Sequence, residues 1–408
     1  MKKKLVTLWL LIIVSLTLLT GCWDKNELTD ISLVNAMGVD KTEDGKFLIT
    51  LQIINPGNVA GSQAGGGGGG GGGIPVTVYS SSGENMVDAA RRSSKEISRK
   101  VYYAHANLIV IGEDFAREGI YKIFDSFERD PQFRTTAVVV IAENARAEDM
   151  LKMITPIDKI PANKITKALK FTEQALGENL KVNIDQVVSD FVSSGKMPVI
   201  SGFKMEGNFE KGKGQENTQT TEAAMRLQAG GLAIFKDGKL KNWIYGKTAR
   251  GVTFILNKIK QTTIDINWKG NKNAISLEVT RGKTSVRTKM ENDKPVIIIH
   301  TETEGDIGET EVPVDLKDPK TIHLLEVAAT KEIKKEIEST VKKIQKEKSD
   351  VFGFGDIIHR SNPKAWKKLE RNWNDVGFPA LEVRVKVDTY IRRTGLRNKS
   401  YMSEIGTK

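Results

Sequence analysis

Cysteine occurs once in 408 residues, at position 22. A single thiol excludes an internal disulfide, a multi-cysteine metal site and a Cys-x-x-Cys redox pair. Histidine is almost as scarce. His105, His300, His323 and His359 lie far apart, none sits in a His-Glu-x-x-His motif, and each reads as a structural or surface residue. Gly-x-Ser-x-Gly is absent, so the usual nucleophile elbow is absent too. A P-loop is missing as well. Gly246-Lys247-Thr248 and Gly282-Lys283-Thr284 have Lys241 and Leu277 where that motif needs its first glycine. Glu302, Glu304, Asp306, Glu309 and Glu311 lack the ligand spacing of a calcium loop and read as an exposed strand and turn. A carboxylate-pair hydrolase stays open on sequence, because paired acids can come from distant positions.

What is present starts at the N-terminus. Lys2, Lys3 and Lys4 precede an uncharged apolar run from Leu5 to Thr20, and the small pair Thr20-Gly21 precedes Cys22. This is a secretory leader, and the cysteine makes it a lipoprotein leader. Cleavage is expected between Gly21 and Cys22, with diacylglycerol on the Cys22 thiol and an acyl group on the new amino terminus. As a transmembrane helix the run would span roughly 24 Å, short of the roughly 30 Å hydrocarbon core. Each buried methylene adds about 0.8 kcal/mol of membrane affinity, so two or more chains anchor stably where one does not. No cofactor other than this covalent lipid is expected.

Without residues 1–21 the chain has 387 residues, enough for two or three domains. Its net charge of +11 falls to +8 without the three leader lysines. Lysines and acids are interspersed, the pattern of a solvated surface rather than a nucleic-acid groove. Strand-like runs Ile31–Asp40 and Lys46–Ile54 flank a turn at Thr42–Gly45 and read as a hairpin. The glycine-rich stretch 57–75 ends in Ile74-Pro75-Val76 and reads as a flexible surface insertion. From Glu84 onward helical and strand patterns alternate: helix over Glu84–Lys100, strand at Asn107–Ile111, helix from Gly112 through Phe127, strand at Thr135–Ile141, helix near Ala147–Ile154. This N-terminal domain is expected over 22–200, with a polar linker over 201–224.

A C-terminal domain is expected over 225–395, followed by a tail over 396–408. A strand at Gly231–Leu240 enters an Asp-Gly turn, and further strands are expected at Ala274–Thr280, Ser285–Met290 and Pro295–Thr301. Asp318-Pro319 opens the longest helix, with Ile322, Leu325, Ala329, Ile333, Ile337, Val341 and Ile344 in one apolar stripe. Val351–Asp356 reads as a turn bearing two aromatics, Asn362-Pro363 opens another helix with Trp366, Leu369 and Trp373 on one face, and Val383 to Ile391 alternates as a half-exposed strand. The fold class is α+β, multidomain. It joins an N-terminal domain of alternating strands and helices to a C-terminal antiparallel sheet with long helices.

Several stretches resemble the Ger(x)C (GerAC-type) spore-germination lipoproteins. They are Gly21-Cys22-Trp23-Asp24 with Glu27-Leu28, Ala89–Arg92, Tyr103–Gly112, Phe352-Gly353-Phe354-Gly355, Trp366–Leu369 and Val383–Gly395. The resemblance implies a lipid-anchored subunit of a nutrient germinant receptor, without an enzymatic site, beside two integral-membrane subunits. It implies the outer face of the inner spore membrane. Cys22 is the one functional residue it carries across, as the acylation site. A different class of function, a lipid-anchored solute-binding protein of a transporter, would need two similar α/β lobes about a hinged cleft. The second half does not read as a repeat of the first. A cell-envelope hydrolase is a third class.

Overall fold

The computed structural model describes residues 29–60 and 73–393, together with Lys4 and Trp9. The leader cleavage site, Cys22, most of the glycine-rich insertion and the tail 396–408 lie outside the described residues.

Alternating apolar runs build one large mixed sheet in the order β3-β2-β1-β5-β6-β7-β8-β9, with β4 beside the start of β1. β1 (Ile31–Lys41) and β2 (Phe47–Ile54) form the expected hairpin, and β3 (Val76–Gly83) adds antiparallel to β2. β5 (Leu108–Gly112), β6 (Val138–Glu143) and β7 (Val199–Gly207) continue parallel to β1. Parallel strands need crossovers, and helices supply them. These are α1 (Met86–Arg92), α2 (Glu113–Glu118), α3 (Tyr121–Arg129), α4 (Ala147–Leu151), α5 (Pro161–Ala175) and α6 (Ile184–Val192). One face buries Met37, Ile109 and Val139 with Phe124 and Phe127 of α3. The other buries Leu108, Val110 and Val140 with Ile165 and Leu169 of α5.

Three expectations change here. The helix expected over Glu84–Lys100 stops at Arg92, because the hydroxyls of Ser93 and Ser94 donate back to the carbonyls of Ala90 (2.6 Å) and Arg91 (2.7 Å). After a 3₁₀ turn the chain enters β4 (Lys100–Tyr102). The helix after Gly112 breaks in two at Gly119, whose φ of 136° no helix accommodates. The stretch 201–224 is not a linker. Its first residues lie within β7, and buried Asn217 donates to the carbonyls of Ile154 (2.7 Å) and Met225 (3.0 Å).

The large sheet also takes two strands from the region assigned to the second domain. β8 (Met225–Lys236) pairs antiparallel with β7, and β9 (Lys239–Ile244) closes the edge through the Asp237-Gly238 turn. Ala233 and Phe235 face the N-terminal core, whereas Leu232, Ile234 and Ile244 face the C-terminal one. A strand's two-residue period therefore places one segment in two cores.

The C-terminal module follows: α7 (Gly246–Ile255), then β10 (Thr262–Trp268), β11 (Asn271–Glu291), β12 (Lys294–Thr310) and β13 (Glu382–Arg393). Ala274–Thr280 and Ser285–Met290 belong to one strand, with the register shifting between Val279 and Arg281. β10, β11 and β12 are antiparallel; β13 joins β12 in parallel, because helices carry the chain back across the sheet first. These helices are α8 (Pro319–Glu347), α9 (Phe354–Ser361) and α10 (Pro363–Leu369). Asp318 caps α8 by accepting from the amides of Lys320 (3.1 Å) and Thr321 (3.2 Å). Its stripe from Leu325 to Ile344 is buried against the sheet, so this helix is core. Inside the module Arg250 on α7 meets Glu336 on α8 with two parallel bonds, Nε to Oε1 at 2.8 Å and Nη2 to Oε2 at 2.7 Å. Both residues are buried, and the pair fixes the register of the two helices.

Candidate functional site

The residues that bind the modules together converge on the turn between α8 and α9. Lys348 ends α8 in the left-handed conformation, at φ 55°, and Ser349 donates to the carbonyl of Phe235 on β8 at 2.6 Å. Asp350 comes next and is fully buried. Its carboxylate accepts from the amide of Gly353 (3.0 Å), the amide of Gly355 (2.8 Å) and the indole Nε1 of Trp373 (2.9 Å). Burial pushes this carboxyl up to about 6, against the donors, which favour its ionised form. Among the described residues no cation pairs with it; the three N–H groups satisfy it.

This geometry explains the glycines of Phe352-Gly353-Phe354-Gly355. Gly353 has φ 74°, which lets the backbone fold its amide onto Asp350. Gly355 packs against the N-terminal module. A methyl group there would sit 2.6 Å from the Gly195 Cα and 2.7 Å from the Trp366 ring. The reverse holds too, since a Cβ on Gly195 would lie 2.4 Å from the Asp356 amide nitrogen. Two backbones touch without side chains between them. Around this point the Met197 amide donates to the Asp350 carbonyl at 2.9 Å and the Ser193 hydroxyl to Asp356 at 2.6 Å. Lys236 pairs with Asp375 at 2.6 Å.

Phe352 and Phe354 stack at 4.9 Å, Trp366 meets Trp373 edge-on at 5.2 Å, and Phe378 lies beside both sets. The aromatic cluster walls the carboxylate from water. The arrangement ties the two modules together, because neither can tilt without breaking buried hydrogen bonds. Sequence reading found the aromatics and the glycines here but only as a turn. Asp350, Ser193 and Gly195 had no signal, since their partners are distant in the chain.

The other residues singled out on sequence are not brought together. His300 Nε2 lies 2.7 Å from Asp388, His323 sits 3.7 Å from Glu326, and His359 stacks on Trp366. His105 lies beside the Tyr102 ring. Of the acids of β12, Glu304 pairs with Arg392 at 2.8 Å. Among the described residues no three His, Cys, Asp or Glu side chains are placed to hold one metal ion. Among them, too, no helix is long and apolar enough to cross a membrane. Gly246-Lys247-Thr248 opens α7, and Gly282-Lys283-Thr284 lies within β11. The two modules differ in sheet size and topology and are joined through β8, which faces both cores; this is not the two-lobed plan of a solute-binding protein.

Comparison with known proteins adds four findings. Residues 24–205 match the family described as spore germination protein N-terminal domain, and residues 230–395 match spore germination B3/GerAC like, C-terminal. The chain is 46% identical to "Spore germination protein KC" of Bacillus subtilis (strain 168) over 95% of each chain. It is 24% identical to "Spore germination protein B3" of the same organism, over 88% of this chain and 90% of that one. The solved structure titled "Crystal Structure of the GerBC protein" superposes with a TM-score of 0.54 at 20% identity, covering 90% of this chain and 99% of that one. That likeness confirms the mixed α+β fold.

Proposed function

The chain belongs to the GerAC-type family of spore-germination proteins, and from that premise we propose that it is a lipid-anchored, non-enzymatic subunit of a nutrient germinant receptor. The observation that carries the reading is likeness to a germination protein along nearly the whole of both chains, behind a leader that ends at Cys22. The leader delivers the chain to the outer face of the membrane, the inner membrane in a spore. Acyl chains on Cys22 hold it there, since two chains together exceed the marginal binding of one. The folded modules then dock on two integral-membrane subunits. The junction at Asp350 supports this role, because a tethered adaptor passes on a partner's movement only if its own parts move as one.

The test is made in the spore-forming organism that carries the gene. Spores lacking it are expected to lose the response to at least one nutrient germinant. The Cys22→Ala chain should accumulate in the soluble fraction and fail to restore that response. Both integral subunits should co-purify with the wild-type chain from detergent-solubilised spore membranes. A full response from the deleted spores to every nutrient that wild-type spores answer would contradict the proposal.

A further inference from the structure

Below the first turn of β1 the large sheet leaves a hollow. β4 pairs only with Ile31, Ser32 and Leu33, and β5 joins β1 only from Ala36 onward. At the β5-paired end, in register with Ile109, Met37 lines a cavity of about 510 Å³, within the ~300–1,000 Å³ range of small-ligand sites. Its floor is apolar, formed by the buried side chains of Met37, Met86 and Phe127. Methionine is adaptable and suits a floor that must fit a ligand. One wall is a stack of Tyr103 on Phe133 at 4.8 Å, with Phe127 edge-on to Phe133 at 4.9 Å. Val87 on the opposite wall is 53% exposed, a large apolar side chain left uncovered at the rim.

Two of the cations around this floor are unpaired among the described residues. Arg91, at the end of α1, and Arg99, before β4, both line the cavity, are exposed and have no ion-pair partner among the described residues. The Tyr103 hydroxyl has no hydrogen-bond partner among them either. The one carboxylate on the lining, Asp130, already accepts from the Gln132 amide at 2.9 Å. Nearby arginines show what a satisfied cation looks like here, since Arg92 holds Asp88 and Arg129 holds Asp125, each at 2.9 Å.

We infer that this cavity binds a small carboxylic acid with a compact aryl or branched-alkyl body, the body on the Met37–Met86–Phe127 floor and the carboxylate between Arg91 and Arg99. The guanidinium fork matches a carboxylate in two-bond geometry, and the Tyr103 hydroxyl supplies a further donor. The site lies wholly within the N-terminal module and does not depend on the proposed receptor role.

Isothermal titration of the detergent-solubilised full chain tests it, with 3-phenylpropanoate, its uncharged analogue 3-phenylpropanamide, and L-phenylalanine as probes. The acid is expected to bind at one site per chain, and the amide about tenfold or more weaker, a tenfold change being about 1.4 kcal/mol. L-phenylalanine is the arm that separates a plain acid from an amino acid: tighter binding than the acid adds Asp130 as the ammonium partner, weaker binding assigns the site to plain acids. The R91A/R99A chain should lose about tenfold or more for the acid while its Tm is unchanged, because both side chains are exposed. Equal binding of acid and amide, unaltered binding by the R91A/R99A chain, or no saturable binding of either 3-phenylpropanoate or L-phenylalanine overturns the inference.

Discussion

A fragment of residues 29–200 is expected to show no cooperative thermal unfolding, whereas the full chain is expected to melt in one transition. The cut falls where composition marks a domain end, yet it removes β8 and β9 from the large sheet. Phe203, Met225, Leu227, Phe235 and Leu240, all buried in the cores on the two faces of the large sheet, go with the lost strands. At about 1.5–3 kcal/mol for each such side chain, their loss rivals the ~5–15 kcal/mol net stability of a whole domain. The cut also removes all but the first two residues of β7, so it bares β6 (Val138–Glu143) as a hydrophobic edge, a template for aggregation. Circular dichroism against temperature checks the result. A sharp melt from the fragment would mean that the sheet does not need its last three strands.

The second large effect belongs to Asp350→Ala. It strands the amides of Gly353 and Gly355 and the indole N–H of Trp373 in a site without water. A buried donor left unpaired costs about 1–3 kcal/mol, so three cost roughly 3 kcal/mol or more. The change also carries a pH signature. The Asp350 carboxyl is raised from its ordinary 3.8 to about 6, so between these values the folded chain holds a proton that the unfolded chain has released. Its contribution to stability is therefore complete below 3.8 and is lost as pH rises through about 6. Denaturant melts at pH 4.5 and 7 should show the gap between wild type and Asp350→Ala widest at the lower pH. A gap that narrows on acidification would contradict the assignment.

Much of the fold is legible in the residues. The Thr42–Gly45 hairpin, the buried runs Leu108–Gly112 and Val138–Glu143, and the Asp318-Pro319 helix start follow from alternation, apolar runs and capping chemistry, all of them local. The missed parts depend on distance. α5 carries three lysines among its fifteen residues and declares its apolar face only once the sheet covers it. Gly282 interrupts the pattern of β11, although the strand runs through it. The border near residue 200 misled because polar composition looks the same in a linker and in a segment folded back through Asn217. At the junction, Gly195 and Gly355 give no sign in either local sequence that their backbones touch. Burial of Asp350 likewise depends on Trp373, which arrives from beyond two helices.

The account rests on the chain being held at a membrane by fatty chains on one residue, Cys22. Mass spectrometry of the amino-terminal peptide, taken from the protein in its own spore membranes, measures this directly. The account predicts a peptide beginning at Cys22 and heavier by a diacylglycerol and an amide-linked acyl group. A peptide with residues 1–21 still attached and the thiol free would contradict it.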